Sequence, residues 1–162
     1  MQILTPDMDL KILKPLVPDK VKFIVIHHPM AIKASWRDID RWHKERGWAG
    51  AGYNEYIRKD GNVYILRGEY EGVHAKGHNS ESYGICVEGN YDIEKILPNE
   101  QQYALKIRIL TLLKRYRNSK VVYHRDICST DCPGKFFPDI KKLFDESELS
   151  KYKDTLYISR LP

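Results

Sequence analysis

The chain has 162 residues, of which 42% are hydrophobic and 30% charged, with a formal net charge of +5. That length suits one domain with a substantial core, and the composition is globular rather than disordered or fibrous. No apolar run approaches the ~20 residues of a membrane span. The basic residues are spread along the chain with no groove-reading motif, which argues against a nucleic-acid partner; a solvated basic surface is the preferred reading over attraction to anionic polymers or lipid surfaces.

Residues 1–18 are punctuated by Pro6, Pro15 and Pro18, which discourages long regular structure. Residues 1–20 are therefore expected to be a lead-in segment, with Leu10, Ile12, Leu13 and Leu16 packing onto the domain. An acidic pair precedes the first lysine and no continuous apolar region follows, so this is not read as a secretory signal, and synthesis in the cytoplasm is expected. The cysteines, Cys86, Cys128 and Cys132, are odd in number and lack paired spacings, so reduced thiols are expected.

Residues 23–26 (FIVI) are uniformly apolar, as in a central strand covered on both faces, and run into His27 and His28. Adjacent strand residues face opposite sides, so only one of these histidines can serve a given site. Residues 35–46 read as a helix, with Ser35 and Asp38 as a capping box and Gly47 at the stop. Ile39, Trp42 and His43 fall on its core face, while Trp36 and Trp48 flank it and either pack or floor a binding site. Residues 53–66 read as a hairpin turning at Asp60-Gly61, and alternation puts Tyr53, Glu55 and Ile57 on one face.

Residues 72–79 (GVHAKGHN) form a polar loop with His74 and His78, and residues 83–88 a strand in which Cys86 is a small buried hydrophobe. Asn99 is expected to start the longest helix, with Gln102 completing a capping box. Its apolar face would comprise Ala104, Ile107, Leu110, Leu112 and Leu113, and it would end near Arg117. Val121 and Val122 then begin a strand ending on His124, and Cys132 follows on a loop stopped by Pro133 and Gly134. A short helix over residues 138–144 comes next, and the tail over residues 149–162 has no assignment. The order of elements predicts an α/β fold, a mixed sheet flanked by helices, in one domain over residues 1–162. An imidazole at a strand end and a thiol on the next loop suit a soft divalent metal such as zinc, with the His-terminated first strand as the third donor.

Four segments resemble, in order, the zinc-dependent N-acetylmuramoyl-L-alanine amidases, a group that includes phage amidase-lysozymes and animal peptidoglycan-recognition proteins. IVIHH is similar to their first strand, AGYNEYIRKDG to their tyrosine-bearing hairpin, GVHAKGHNSESYGICVEGNYD to their groove loop, and HRDICSTDCPG to their metal loop. The resemblance implies a central mixed β-sheet with the zinc site in a groove at the sheet edge. It implies Zn2+ on His27, His124 and Cys132, with His28 and Cys128 as the competing donors. Pro133-Gly134 after Cys132 matches the family and decides between the two thiols.

The implied reaction is hydrolysis of the bond between N-acetylmuramic acid and L-alanine of bacterial peptidoglycan. The family's active-site tyrosine falls on Tyr53. Thr130 stands where some phage relatives carry a lysine, so a hydroxyl would replace a cationic oxyanion stabiliser. Glu55, where relatives commonly have an apolar residue, is a candidate general base or a surface ion-pair partner. His74, Asn79 and Trp48 are the candidate substrate-binding residues. The implied protein is a monomeric phage or prophage endolysin or bacterial autolysin, acting on the cell wall after release. The alternative is a non-catalytic peptidoglycan-binding module, but such relatives typically lose the metal cysteine, and Cys132 is present. A His2Cys copper centre would also want an axial methionine, and Met30 belongs to no compact Cys-His-Met loop.

Overall fold

The computed structural model describes residues 1–8, 13–152 and 154–156. In chain order its principal elements are β1 (Ile3–Leu4), β2 (Phe23–His27), α1 (Trp36–Glu45), β3 (Glu55–Ile57), β4 (Val63–Ile65) and β5 (Ser82–Val87). They continue with α2 (Asn99–Arg115), β6 (Lys120–Tyr123), α3 (His124–Ile127) and α4 (Glu146–Tyr152). Among the described residues the strands make one six-stranded mixed sheet in the order β1-β4-β3-β5-β2-β6. Only β3 and β4 run antiparallel; the other neighbours are parallel. This is the α/β architecture expected from the order of the elements. No helix among the described residues is long and apolar enough to cross a membrane.

β2 lies between β5 and β6, and its Ile24, Val25 and Ile26 are fully buried, which is why no polar residue interrupts the run. Register assigns the two faces. Ile24 and Ile26 align with Tyr83 and Ile85 on β5 and with Val121 and Tyr123 on β6. That face is covered by α2 through Ala104, Leu105, Ile109, Leu112 and Leu113. Val25 and His27 share the opposite face with Gly84 and Cys86. There α1 packs Ile39 against Ala51, Tyr56, Leu66 and Cys86. His27 therefore emerges on the α1 side of the sheet.

The capping box at α1 is complete: the Asp38 amide donates to Ser35 Oγ and the Ser35 amide donates to Asp38 Oδ2. Such a cap contributes about 1 kcal/mol. At α2 the expected box does not form. Pro98 occupies the cap position without a side-chain bond, and Gln102 instead donates to the Leu97 carbonyl at 2.6 Å. α2 ends at Arg115, and its buried face runs through Leu105 and Ile109, leaving Ile107 and Leu110 only half-buried. The expected helix over residues 138–144 is a 3-10 turn, Ile140–Leu143, and part of the tail is helical as α4.

Two further differences bear on function. The lead-in supplies β1, an edge strand paired in parallel with β4. Its Leu16 is buried, as expected, and Leu13 half-buried, while Leu10 and Ile12 lie outside the described residues. The second difference concerns Glu55. β3 begins only at Glu55, and the irregular backbone before it breaks the alternation that would put Tyr53 on the same face. Glu55 faces α2, fully buried, where it accepts from the Tyr83 hydroxyl at 2.6 Å and from Arg108 Nε and Nη2 at 2.9 and 2.5 Å. It is a core ion-pair partner on the far side of the sheet from Tyr53, not a base beside it.

Breaking such a buried pair strands the surviving charge. Arg108→Met should lower the unfolding free energy by about 3–5 kcal/mol in denaturant titrations. A loss under about 1 kcal/mol would show that the pair contributes little and that Glu55 is free for another role.

Candidate metal centre

The site forms where two neighbouring parallel strands end. Ile26 on β2 pairs with Tyr123 on β6, so the next residues, His27 and His124, leave the sheet side by side. His124 opens the short helix α3 rather than closing the strand. The following loop folds back on that turn: the Arg125 amide donates to the Cys132 carbonyl at 2.9 Å, and Arg125 Nη1 donates to the Gly134 carbonyl at 2.9 Å. Gly134 has φ +101°, and a Cβ there would come within 2.6 Å of the Tyr91 backbone. Only glycine lets the loop close this far.

The loop carries Cys132 Sγ to 3.7 Å from His27 Nδ1. The donor atoms of His27, His124 and Cys132 all lie within 4.8 Å of one another, so these residues can hold a metal ion. Burial, reinforced by His74, His124 and His28, holds His27 well below the usual imidazole value, and burial lowers His124 as well. Both rings are therefore neutral at pH 7, the form in which imidazole ligates. Burial pushes the Cys132 thiol up to about 12, against the opposing pull of the His28 amide and Arg125. Such a thiol ionises at neutral pH only beside a cation, so the donor set fits a soft divalent metal.

The rival donors point elsewhere. His28 Nδ1 accepts from the Tyr91 amide at 3.1 Å, and burial lowers this ring to about 4. Cys128 Sγ lies 3.8 Å from the Lys76 carbonyl, outside the donor group.

A cavity of about 230 Å³ over the donors is lined by His27, His124, Cys132, Tyr53, His43, Arg46 and Trp48, among others. It shares Trp48, Val73, His74 and His124 with a groove of about 640 Å³. Lys76 and Asn79 from one loop and Ile127, Cys128 and Thr130 from another form that groove's walls.

The Tyr53 ring centre lies 5.2 Å from that of His27 and 5.3 Å from that of His43. Burial, then the Cys86 and Cys132 thiols, raise its hydroxyl well above the ordinary tyrosine value, so it stays protonated. Thr130 is exposed on the groove wall, and its Oγ1 accepts from the Cys132 amide at 3.3 Å. Asn79 Oδ1 accepts from the His74 and Ala75 amides, both at 2.9 Å, so it shapes the loop as well as lining the groove. His74 is buried against His27, with burial lowering it to about 3.

His43 and Arg46 were not expected to line the site. His43 Nδ1 accepts from the Gly52 amide at 2.8 Å and so holds the segment that carries Tyr53. A histidine on a core-facing helix position just before Trp48 was the available signal.

Residues 17–135 match the family model described as N-acetylmuramoyl-L-alanine amidase. The chain is 36% identical over 118 residues to the endolysin of Enterobacteria phage T3, covering 70% of this chain and 76% of that one. The N-acetylmuramoyl-L-alanine amidase LysC from Clostridium intestinale URNW superposes with a TM-score of 0.79 at 32% identity, over 93% of this chain and 98% of that chain. Wild-type Drosophila PGRP-LB gives a TM-score of 0.77 at 27% identity, over 99% of each chain.

The donor chemistry sets the pH dependence of metal affinity. His27 and His124 have lowered values and carry no proton to lose near pH 7, whereas Cys132, raised to about 12, still carries its own. Each ion bound must displace that proton. The apparent affinity for Co2+ should therefore rise at least about tenfold per pH unit between pH 7 and 9, measured by chelator competition. A flat profile would mean that the thiol does not ligate.

Proposed function

The chain belongs to the N-acetylmuramoyl-L-alanine amidase family, and on that premise we propose that it hydrolyses the amide joining N-acetylmuramic acid to L-alanine in peptidoglycan. The resident metal in this reading is Zn2+, held by His27, His124 and Cys132. The observation that carries the proposal is the convergence of two neutral imidazoles and a buried thiol beside a groove of about 640 Å³.

Zinc with three protein ligands supplies a Lewis acid and lowers the pKa of water towards ~7. The chain's own residues do the rest. The groove walls hold the glycan-peptide so that its scissile carbonyl lies over the donor cluster, and Arg46 and Lys76 place positive charge where stem-peptide carboxylates would lie. Tyr53, protonated because it is buried, donates a hydrogen bond to the oxygen on which charge develops. Thr130 adds a neutral hydroxyl from the groove wall in place of a cation. No carboxylate lines either cavity among the described residues, so no Asp or Glu is assigned as proton carrier.

The intact donor set favours an enzyme over a binding module of the same fold. We read the chain as one catalytic domain acting as a monomer on the cell wall.

Mass analysis of a purified peptidoglycan digest tests this reading. New free L-alanine amines should appear, no new reducing sugar ends should form, and a chelator should stop the reaction. Tyr53→Phe should give the same products with kcat about 10²-fold lower and KM little changed. Reducing ends, or chelator-insensitive turnover, would overturn it.

A further inference from the structure

His27 has two ring nitrogens, and both are engaged. Nδ1 faces Cys132 Sγ at 3.7 Å, and Nε2 lies 3.0 Å from His74 Nδ1, with the two rings nearly perpendicular at 84°. A neutral imidazole that ligates through Nδ1 carries its proton on Nε2. Here that proton points at His74 Nδ1, which must then accept. His74 keeps its own proton on Nε2, so one tautomer of each ring satisfies the pair.

The backbone around His74 reserves room for its ring. A Cβ on Gly72 would come within 2.3 Å of His74 Cδ2, and a Cβ on Gly84 within 2.7 Å of Cγ, Cδ2 and Nδ1. Gly84 is in β5, two residues before Cys86, the register partner of His27. The slot therefore opens from the sheet itself, directly beside the ligand. Asn79 closes the arrangement by binding the amides of His74 and Ala75. His74 is only 9% exposed, and its Nε2 makes no hydrogen bond within 3.5 Å among the described residues. The ring borders both cavities, but its Nδ1 is turned to His27 and little of its surface is exposed to a substrate.

We propose that His74 is a positioning residue for the metal ligand His27, fixing its tautomer and ring rotation, rather than the substrate-binding residue the loop's resemblance implies. The inference rests on the reading that His27 ligates through Nδ1. Its chemistry differs from the commoner carboxylate partner of a ligating histidine. A neutral acceptor orients His27 without adding a second negative charge to that of the Cys132 thiolate, so the ion keeps more of its positive charge for the substrate carbonyl. Gly72, Gly84 and Asn79 belong to the same device.

The test measures zinc affinity by competition with a chromophoric chelator, and the visible d–d spectrum of the Co2+ form, alongside KM on peptidoglycan fragments. His74→Phe fills the slot but cannot accept. It should weaken zinc binding by about 10–100-fold and shift the Co2+ bands. His74→Asn puts a carbonyl oxygen close to where Nδ1 lies and should recover most of that loss. Gly84→Ala, which keeps the histidine but crowds its ring, should weaken zinc as His74→Phe does, and serves if His74→Phe fails to fold. Wild-type zinc affinity and an unchanged Co2+ spectrum in the folded variants, with only KM raised, would make His74 a substrate group and overturn the inference. If the wild-type chain itself bound no metal, the ligand assignment would fail first and this role with it.

Discussion

Everything in the site depends on the parallel pairing of β2 with β6. Because Ile26 aligns with Tyr123, the two chains leave the sheet at the same level, and each does so with a histidine. The pairing is non-local, and hydrophobic burial enforces it: Ile24, Val25, Ile26 and Val121 are fully buried and Val122 nearly so. A slip of one residue would turn His27 towards α2 and exchange it with Ile26. The apolar run thus does more than fill the core, because its register decides which face of the sheet carries polar chemistry.

The two faces divide the work. The α2 face satisfies the buried carboxylate of Glu55 internally, by giving it both Tyr83 and Arg108. The α1 face buries His27 and His43 and half-buries His124. Burying imidazoles there lowers their pKa values, which keeps them neutral and ready to bind metal, while the same desolvation raises Cys132. The mismatch between two ready donors and one reluctant thiol is resolved by a bound cation, so metal binding and the electrostatics of this face are one problem.

Much of this was legible in the amino-acid order, because local rules and tertiary outcome agree. The FIVI run, the Ser35–Asp38 cap and the Asp60-Gly61 hairpin each appear where pattern places them. The structure also brings His27, His124 and Cys132 together. What pattern missed depended on context. Alternation counted back from β3 misplaced Glu55 because residues 51–54 are irregular, held by contacts such as that between Gly52 and His43. The α2 cap failed because Pro98 holds the cap position and Gln102 found the Leu97 carbonyl instead. β1 is two residues long, too short for periodicity to register. The His27–His74 contact joins residues 47 apart, and only the glycines at positions 72 and 84 hinted at the space it needs.

Zinc K-edge X-ray absorption on the metal-loaded chain tests the central claim most directly. The donor set described here predicts one sulfur and two imidazole nitrogens in the coordination sphere, the remaining position being filled by a light atom. A shell with two sulfurs, which would bring in Cys128, or with none, which would remove Cys132, would contradict it.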